Sequence, residues 1–158
     1  MEKKSWKTYA LWIVLSEAAG IVSGLLSSEG MRAFSQNALQ PSFSPPPIVF
    51  PIVWTILYAL MGIGMARVQL YGSPSGKAAA GNLFLSQLII NFFWPLVFFN
   101  AEAYGLALVF LALLWVLAAQ MLISFRREDR LAGNLQIPYL LWLSFAALLN
   151  EQVWQLNR

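Results

Sequence analysis

Tryptophan is the residue type in this chain best suited to binding a planar group, because it needs no acid–base group beside it. The 158 residues include 7 tryptophans, and aromatic residues make up 15% of the chain. An indole offers a flat π face that stacks on planar groups and an N–H that donates a hydrogen bond. Four of the tryptophans lie deeper in long apolar stretches than the others: Trp54, Trp94, Trp115 and Trp142. The other three include Trp6 and Trp154, which lie at the ends of such stretches, where interfacial anchoring accounts for them.

Two of these tryptophans belong to aromatic stripes with helical spacing. Trp54, Tyr58 and Met61 are spaced i, i+4, i+7 and therefore share one helix face. A second stripe has the same property: Pro138, Trp142, Phe145 and Leu149. Facing stripes of this kind indicate either helix packing or a site for a flat hydrophobic ligand, and the pattern alone leaves both open.

Polar residues in the middle of apolar stretches form a second group of candidates. Gln87 and Asn91 are four residues apart and share a face, and Asn150 and Glu17 are similarly deep. Hydrocarbon offers such groups no partner, so they must bond to a neighbouring helix or face a cavity. For Glu17 three states remain open: a protonated acid, a hydrogen bond to a neighbouring serine, or exposure to a cavity.

The sequence lacks the residue types of most enzyme sites. With no cysteine and no histidine, it excludes disulfides, thiolate nucleophiles, imidazole bases and Cys/His metal sites. We find no nucleophile–base arrangement, no paired catalytic carboxylates and no phosphate-binding glycine loop. We therefore expect no metal and no required cofactor. The net charge of +3 does not indicate nucleic-acid binding, because the cations lie at the ends of apolar stretches.

Composition identifies the elements that must position these residues. The chain is 59% hydrophobic and 11% charged, with a mean hydropathy of +0.63. Five stretches are long enough to cross a bilayer as helices, which takes about 20 residues. They predict a single all-α integral membrane domain over 1–158, with spans at about 8–26, 48–70, 78–99, 103–125 and 134–156. Glu17 and the length of the first stretch favour a retained span over a cleaved signal peptide.

The connections predict the orientation in the membrane. Residues 27–47 form a proline-rich loop, 71–77 a turn, and 126–130 a short solvated loop. Of the 10 basic residues, 8 fall on the N-terminal side and only Arg32 and Arg158 on the other. The positive-inside rule then places the N-terminus in the cytoplasm and both the 27–47 loop and the C-terminus outside. The plasma membrane is the default location.

Helix-distorting residues add two weaker predictions. Pro51 and Pro95 fall inside predicted spans, where proline kinks a helix. Gly20 and Gly24 form a GxxxG pattern that indicates a close-packing site, though it is a weak indication of a dimer.

Three stretches resemble the motifs of the TspO/MBR family of tryptophan-rich sensory proteins and translocator proteins. They are PSFSPP with VWTILYALMG (41–46 and 53–62), NFFWPLVFF (91–99) and PYLLWLSFAALLN (138–150). The resemblance implies a five-helix bundle, usually a homodimer, with a pocket beneath the loop after the first helix. That pocket would take porphyrins such as protoporphyrin IX or a heme-like ligand. The matching ligand-binding positions are Phe34, Pro45, Trp54, Tyr58, Asn91, Trp94, Phe98, Trp142 and Ala146.

The chain departs from the family pattern at the predicted pocket mouth. Ala33 and Phe34 stand where the family usually has a Trp-Tyr pair, so a tyrosine hydroxyl is lost, and Phe43 replaces a loop tryptophan. After the L-N pair, Glu151 and Gln152 replace the aromatic and basic residues of the animal sterol motif, so sterol recognition is not expected.

These observations favour a membrane receptor or sensor that binds tetrapyrroles between its helices. Trp54 and Trp142 also match the tryptophans implicated in light-dependent porphyrin degradation by some bacterial members, which makes them the only candidates for catalytic residues. The alternative is a transporter or regulator of export for porphyrins or lipids, with Gln87, Asn91 and Glu17 along its path.

Overall fold

The computed structural model describes residues 3–158, and the first two residues of the predicted domain lie outside this range. Within the described residues the chain consists of helices and their connections, with no strand. Five helical segments are long and apolar enough to cross a membrane: Ser5–Leu26, Val49–Tyr71, Pro74–Asn100, Tyr104–Glu128 and Arg130–Leu156. The predicted all-α bundle with five spans is therefore confirmed.

The helices follow one another with short connections, except that residues 38–48 separate the second helix from the third. In chain order they are α1 (Lys3–Leu26), α2 (Ser28–Asn37), α3 (Val49–Tyr71), α4 (Pro74–Pro95), α5 (Tyr104–Glu128), α6 (Arg130–Asn134) and α7 (Ile137–Leu156), with a π-helical turn at Leu96–Asn100 after α4. The end of the bundle that holds α2 and the π-helical turn is called the outer end below, and the opposite end the inner end.

The prediction of a continuous loop over 27–47 is wrong in its first half. Residues Ser28–Asn37 form α2, and its Glu29 lies in the first turn where a negative charge stabilises the helix dipole. The prolines that exclude a helix are confined to 41–47. None of the residues of α2 is fully buried, which is consistent with a helix that lies across the outer end of the bundle.

Several predicted boundaries also shift. The turn predicted at 71–77 is shorter, because Ser73 accepts a hydrogen bond from the Gly76 N–H and Pro74 occupies the first turn of α4. The predicted fifth span at 134–156 is preceded by α6, and α7 itself begins at Ile137.

The two prolines behave differently. Pro51 lies in the first turn of α3, where its missing N–H removes no helical hydrogen bond, so the predicted kink is absent. Pro95 ends the regular part of α4, and the chain then widens into the π-helical turn, closed by the Ala101 N–H on the Leu96 carbonyl at 3.0 Å. This turn directs Phe98 into the bundle, where it is 4% exposed.

Glycines allow α1 and α3 to approach closely. A Cβ on Gly62 would lie 2.6 Å from the Ile13 Cα, and one on Gly20 would overlap the Tyr58 ring. Gly20 therefore serves packing within the chain. A Cβ on Gly24 would meet nothing within 4 Å. The two glycines of the GxxxG pattern thus differ: Gly20 packs against Tyr58 of the same chain, whereas Gly24 packs against nothing among the described residues.

The inner end is held by an ion pair that the sequence did not predict. Arg67 donates from Nε and Nη2 to the two carboxylate oxygens of Asp129 at 2.9 and 2.8 Å, and Asp129 also caps α6 by accepting from the Ala132 N–H. These hydrogen bonds from Arg67 hold the pKa of the Asp129 carboxyl below its usual range. Glu128 accepts from the N–H and the hydroxyl of Ser73. Since α5 extends to Glu128 and α6 begins at Arg130, the prediction of a loop at 126–130 is wrong, although the three arginines of this segment are exposed.

Candidate functional site

An apolar cavity of about 570 Å³ lies between the outer halves of the spans, beneath α2 and the proline-rich segment. All nine residues predicted as ligand-binding line this one cavity: Phe34, Pro45, Trp54, Tyr58, Asn91, Trp94, Phe98, Trp142 and Ala146. Their role in binding a ligand stays a prediction. Trp115, the fourth tryptophan deep in an apolar stretch, does not line it: this residue is 41% exposed and donates its indole N–H to the Ser144 hydroxyl at 3.0 Å.

Aromatic pairs form the walls of the cavity. Trp54 lies 5.5 Å from Tyr58 with an interplanar angle of 33°. Trp94 stacks on Phe98 at 4.9 Å and 26°. On the third side, the ring of Phe50 meets Trp142 edge-on at 5.8 Å. The spacing of aromatic residues that suggested either packing or a ligand site thus produces both, because each indole packs on a neighbouring ring and also lines the cavity.

A chain of buried hydrogen bonds runs beneath the cavity and joins three helices. The Tyr58 hydroxyl donates to Asn91 Oδ1 at 2.9 Å, and Asn91 Nδ2 donates to the Tyr139 hydroxyl at 2.8 Å. Tyr139 in turn donates to Gln87 Oε1 at 2.7 Å, and Gln87 Nε2 donates to the Phe84 carbonyl at 3.1 Å. Tyr139 is 1% exposed and Gln87 is fully buried, so this network closes the floor of the cavity.

The third polar residue at depth holds the cavity wall on the side of α7. Asn150 accepts from the Trp94 indole N–H at 3.2 Å and donates to the Tyr104 carbonyl at 2.8 Å. Gln87, Asn91 and Asn150 therefore all bond to neighbouring helices, and two of them line the cavity as well. The indole N–H of Trp142 is buried and has no acceptor among the described residues. A ligand with a carbonyl or imine nitrogen could supply one.

The roof of the cavity is fastened to the bundle at two points. The Phe34 ring of α2 packs against Phe98 and Phe99, each at 5.3 Å. Beyond α2, the Asn157 side chain accepts from the Leu39 N–H at 2.9 Å and donates to the Leu39 carbonyl at 2.8 Å. Phe43, the residue that replaces a loop tryptophan, is 45% exposed and is not part of the lining.

The wall contributed by α1 was the part that sequence reasoning identified least well. Glu17, Gly20, Ile21 and Gly24 line the cavity at the spacing i, i+3, i+4, i+7, which is one helical stripe. Glu17 therefore faces the cavity, which was one of the three states considered for it. Ser16, its immediate neighbour, instead donates to the Trp12 carbonyl at 2.8 Å. The small residues of the stripe were the available signal, but they were interpreted as a helix-packing motif.

The fold and the site together define a class: an integral, multi-pass helical membrane protein with an aromatic cavity closed from the outer end by a short helix. A sequence profile of the TspO/MBR family matches residues 12–155. The chain belongs to this family of membrane sensors and translocators.

Individual relatives cover the same length. The chain is 35% identical to the tryptophan-rich protein TspO of Chlorobaculum tepidum over 95% of this chain and 96% of that protein. It is 33% identical to the protein CrtK of Rhodobacter capsulatus, over 94% and 92% of the two chains. It is also 35% identical to the human translocator protein, over 94% of this chain and 89% of the human one.

Proposed function

We propose that this protein is a membrane receptor or sensor whose cavity binds a tetrapyrrole such as protoporphyrin IX between Trp54 and Trp142. The observation that carries the proposal is the convergence of three indoles, from α3, α4 and α7, on one apolar cavity. A flat macrocycle needs aromatic walls for stacking and a few polar groups for orientation. The cavity volume of about 570 Å³ lies within the range of about 300–1,000 Å³ that is typical of ligand pockets.

The closed floor favours binding over passage through the protein. A transport path would have to pass the buried chain Tyr58–Asn91–Tyr139–Gln87, in which each side chain is hydrogen-bonded to the next. Gln87, which the transport alternative needs on the path, does not line the cavity. The alternative is tested by ligand flux into sealed proteoliposomes, and flux that saturates with ligand would favour it over a receptor.

The binding proposal is tested by titrating purified protein with protoporphyrin IX. We expect quenching of tryptophan fluorescence together with a shift of the porphyrin absorption band, which reports binding even when tryptophans are removed. The double variant Trp54→Phe/Trp142→Phe should weaken binding at least tenfold, because both stacking walls lose area and the Trp142 N–H is removed. Trp115→Phe is the matched control, since that indole lies outside the cavity. Equal affinities for all three proteins would refute the pocket assignment.

Light-dependent degradation of the bound porphyrin is a second candidate, supported by the aromatic contacts of Trp54. The centroid of this indole lies 5.5 Å from that of the Tyr58 ring, which also lines the cavity, and 6.2 Å from that of the buried Tyr139 ring behind it, so oxidisable rings lie beside the expected macrocycle. The reaction would consume dioxygen as the oxidant. Illumination should then bleach the bound porphyrin to a discrete product in air and not under argon, and the double variant should bleach more slowly. Loss of protein fluorescence in proportion to porphyrin loss would indicate photodamage instead of turnover.

The orientation and the assembly belong to the same proposal. The basic residues cluster at the inner end, which we assign to the cytoplasm, with α2 and the C-terminus outside the plasma membrane. We also propose a homodimer, as the family resemblance implies. Labelling of single cysteines placed in α2 of whole cells tests the first, and mass measurement of the protein in a known amount of detergent tests the second.

A further inference from the structure

The cavity contains one acidic side chain and no basic one. Among the described residues that line it, only Glu17 is ionisable as an acid below neutral pH, and neither lysine nor arginine is present. The two basic residues of the outer side, Arg32 and Arg158, are exposed and lie outside this lining. Glu17 is therefore the one charged side chain through which the cavity could prefer ligands of one charge over the other.

Glu17 lies deep in the membrane-spanning part of α1. It is 12 residues from the inner end of the span Ser5–Leu26 and 9 from the outer end, which at a rise of about 1.5 Å per residue is roughly 18 and 14 Å. An acid at such depth normally faces the interior of a bundle or a water-filled space and pairs with another group. The side chain of Glu17 is half-buried and faces the cavity.

The polar groups opposite Glu17 are committed to one another, apart from the Trp142 indole N–H, which has no acceptor among the described residues. Tyr58 donates its hydroxyl proton to Asn91, and Asn91 donates to Tyr139. The Trp94 N–H is used by Asn150. No described residue donates a hydrogen bond to the Glu17 carboxylate or forms an ion pair with it; the one ion pair among the described residues joins Arg67 and Asp129. The Glu17 carboxylate therefore has no partner among the described residues and is open to a donor on a ligand in the cavity.

We propose that Glu17 makes the cavity select flat apolar ligands that carry a protonated amine or another N–H donor over ligands that bring a carboxylate to the same depth. This inference rests on the proposed function and refines its ligand class. A tetrapyrrole with acidic side chains would then be held with those groups directed away from α1, because a second carboxylate near Glu17 would be repelled. Ligands with a cationic nitrogen on a flat ring system would gain a charge-assisted hydrogen bond.

The test uses two probes with the same ring system and opposite charge, pyrenylmethylamine and pyrenylacetate, with energy transfer from tryptophan to pyrene as the readout. Affinities are measured near neutral pH in a non-ionic detergent for the natural protein and for Glu17→Gln, a nearly isosteric change. We expect the amine-over-acid affinity ratio to fall at least fivefold in the variant. The ratio between proteins cancels the unequal partition of the two probes into micelles. Glu29→Gln is the matched control, since Glu29 is exposed on α2 and should change the ratio less than twofold.

The outcomes separate this inference from the proposed function. If the natural protein binds neither pyrene probe nor protoporphyrin IX, the cavity is not the binding site. If it binds them and Glu17→Gln leaves the ratio unchanged, the role of Glu17 is refuted while the binding site stands. Glu17→Ala is a second variant that also removes the carboxylate, and it must lower the ratio by a similar factor. An equal fall in Glu29→Gln would also overturn the inference, because it would point to the general surface charge.

Discussion

The hydroxyl of Tyr139 is the most connected polar group beneath the cavity, and its removal gives a quantitative prediction. It donates to Gln87 Oε1 at 2.7 Å and accepts from Asn91 Nδ2 at 2.8 Å, while Tyr139 is 1% exposed. Tyr139→Phe removes both hydrogen bonds and leaves a buried acceptor and a buried donor without partners. Hydrogen bonds within membrane helices contribute about 0.6 kcal/mol each on average, and an unsatisfied buried group costs about 1–3 kcal/mol.

We expect Tyr139→Phe to lower the free energy of unfolding by about 2 kcal/mol. Tyr58→Phe breaks only the single bond to Asn91 and should cost about 1 kcal/mol. Tyr71→Phe is the control, because this residue is 61% exposed and its hydroxyl forms no hydrogen bond with another described residue. It should cost less than about 0.5 kcal/mol. The assay is reversible unfolding in mixed micelles of dodecyl maltoside and increasing sodium dodecyl sulfate, followed by far-UV circular dichroism.

A double variant tests whether Gln87 and Tyr139 stabilise the bundle through the hydrogen bond between them. Replacing Gln87 by leucine removes the acceptor that Tyr139→Phe would orphan, and replacing both partners of a buried hydrogen bond by apolar groups is less costly than replacing one. The destabilisation in Gln87→Leu/Tyr139→Phe should therefore be smaller than the sum of the two single changes. If the two effects add, or if Tyr139→Phe is no more destabilising than Tyr71→Phe, the floor network does not stabilise the bundle as described.

Three further predictions concern the helix contacts and the roof. Asp129→Asn keeps the cap of α6 but loses the ion pair, so it should cost about 1 kcal/mol at neutral pH. Since the folded pKa of this aspartate is depressed, the stabilisation is present above its unfolded pKa of about 4 and is lost as the pH falls through the folded pKa. Gly20→Ala should destabilise by about 1–3 kcal/mol and weaken porphyrin binding, whereas Gly24→Ala should be tolerated. Asn157→Ala frees Leu39 and should speed both association and release of porphyrin.

Each of these has a measurement and a contrary result. Thermal unfolding at neutral and acidic pH checks Asp129→Asn, and an acid loss as large as in the natural protein would contradict the ion-pair account. Unfolding and porphyrin titration compare the two glycine variants, and equal effects would mean that the tyrosine ring moves aside freely. Stopped-flow fluorescence follows Asn157→Ala, and unchanged rates would show that the roof does not control entry.

Two features of the fold differ from what the local sequence predicts. The acidic residues at 128–129 lie in a short polar connection, which by composition alone is a solvated loop. They became partners of Arg67 and Ser73 only because α3 and α5 end, and α4 begins, at the same inner edge of the bundle. Pro51 looked like an interior proline because the apolar stretch extends past it, but α3 begins only at Val49.

By itself the sequence determined the number of spans and the segregation of basic residues, because the length of apolar stretches and the charge at their ends can be counted along the chain. The nine positions that gather around the cavity were implied by the resemblance to the TspO/MBR family and not by spacing alone. Only the tertiary structure decided that Glu17 faces the cavity, that Gly20 packs on Tyr58 while Gly24 does not pack, and that α2 covers the site. The outcomes for Glu17 and the two glycines depend on the rotation of α1 about its own axis against α3, and a helix whose faces are nearly uniformly apolar leaves that angle to be fixed by packing. The position of α2 depends on the packing of Phe34 against Phe98 and Phe99.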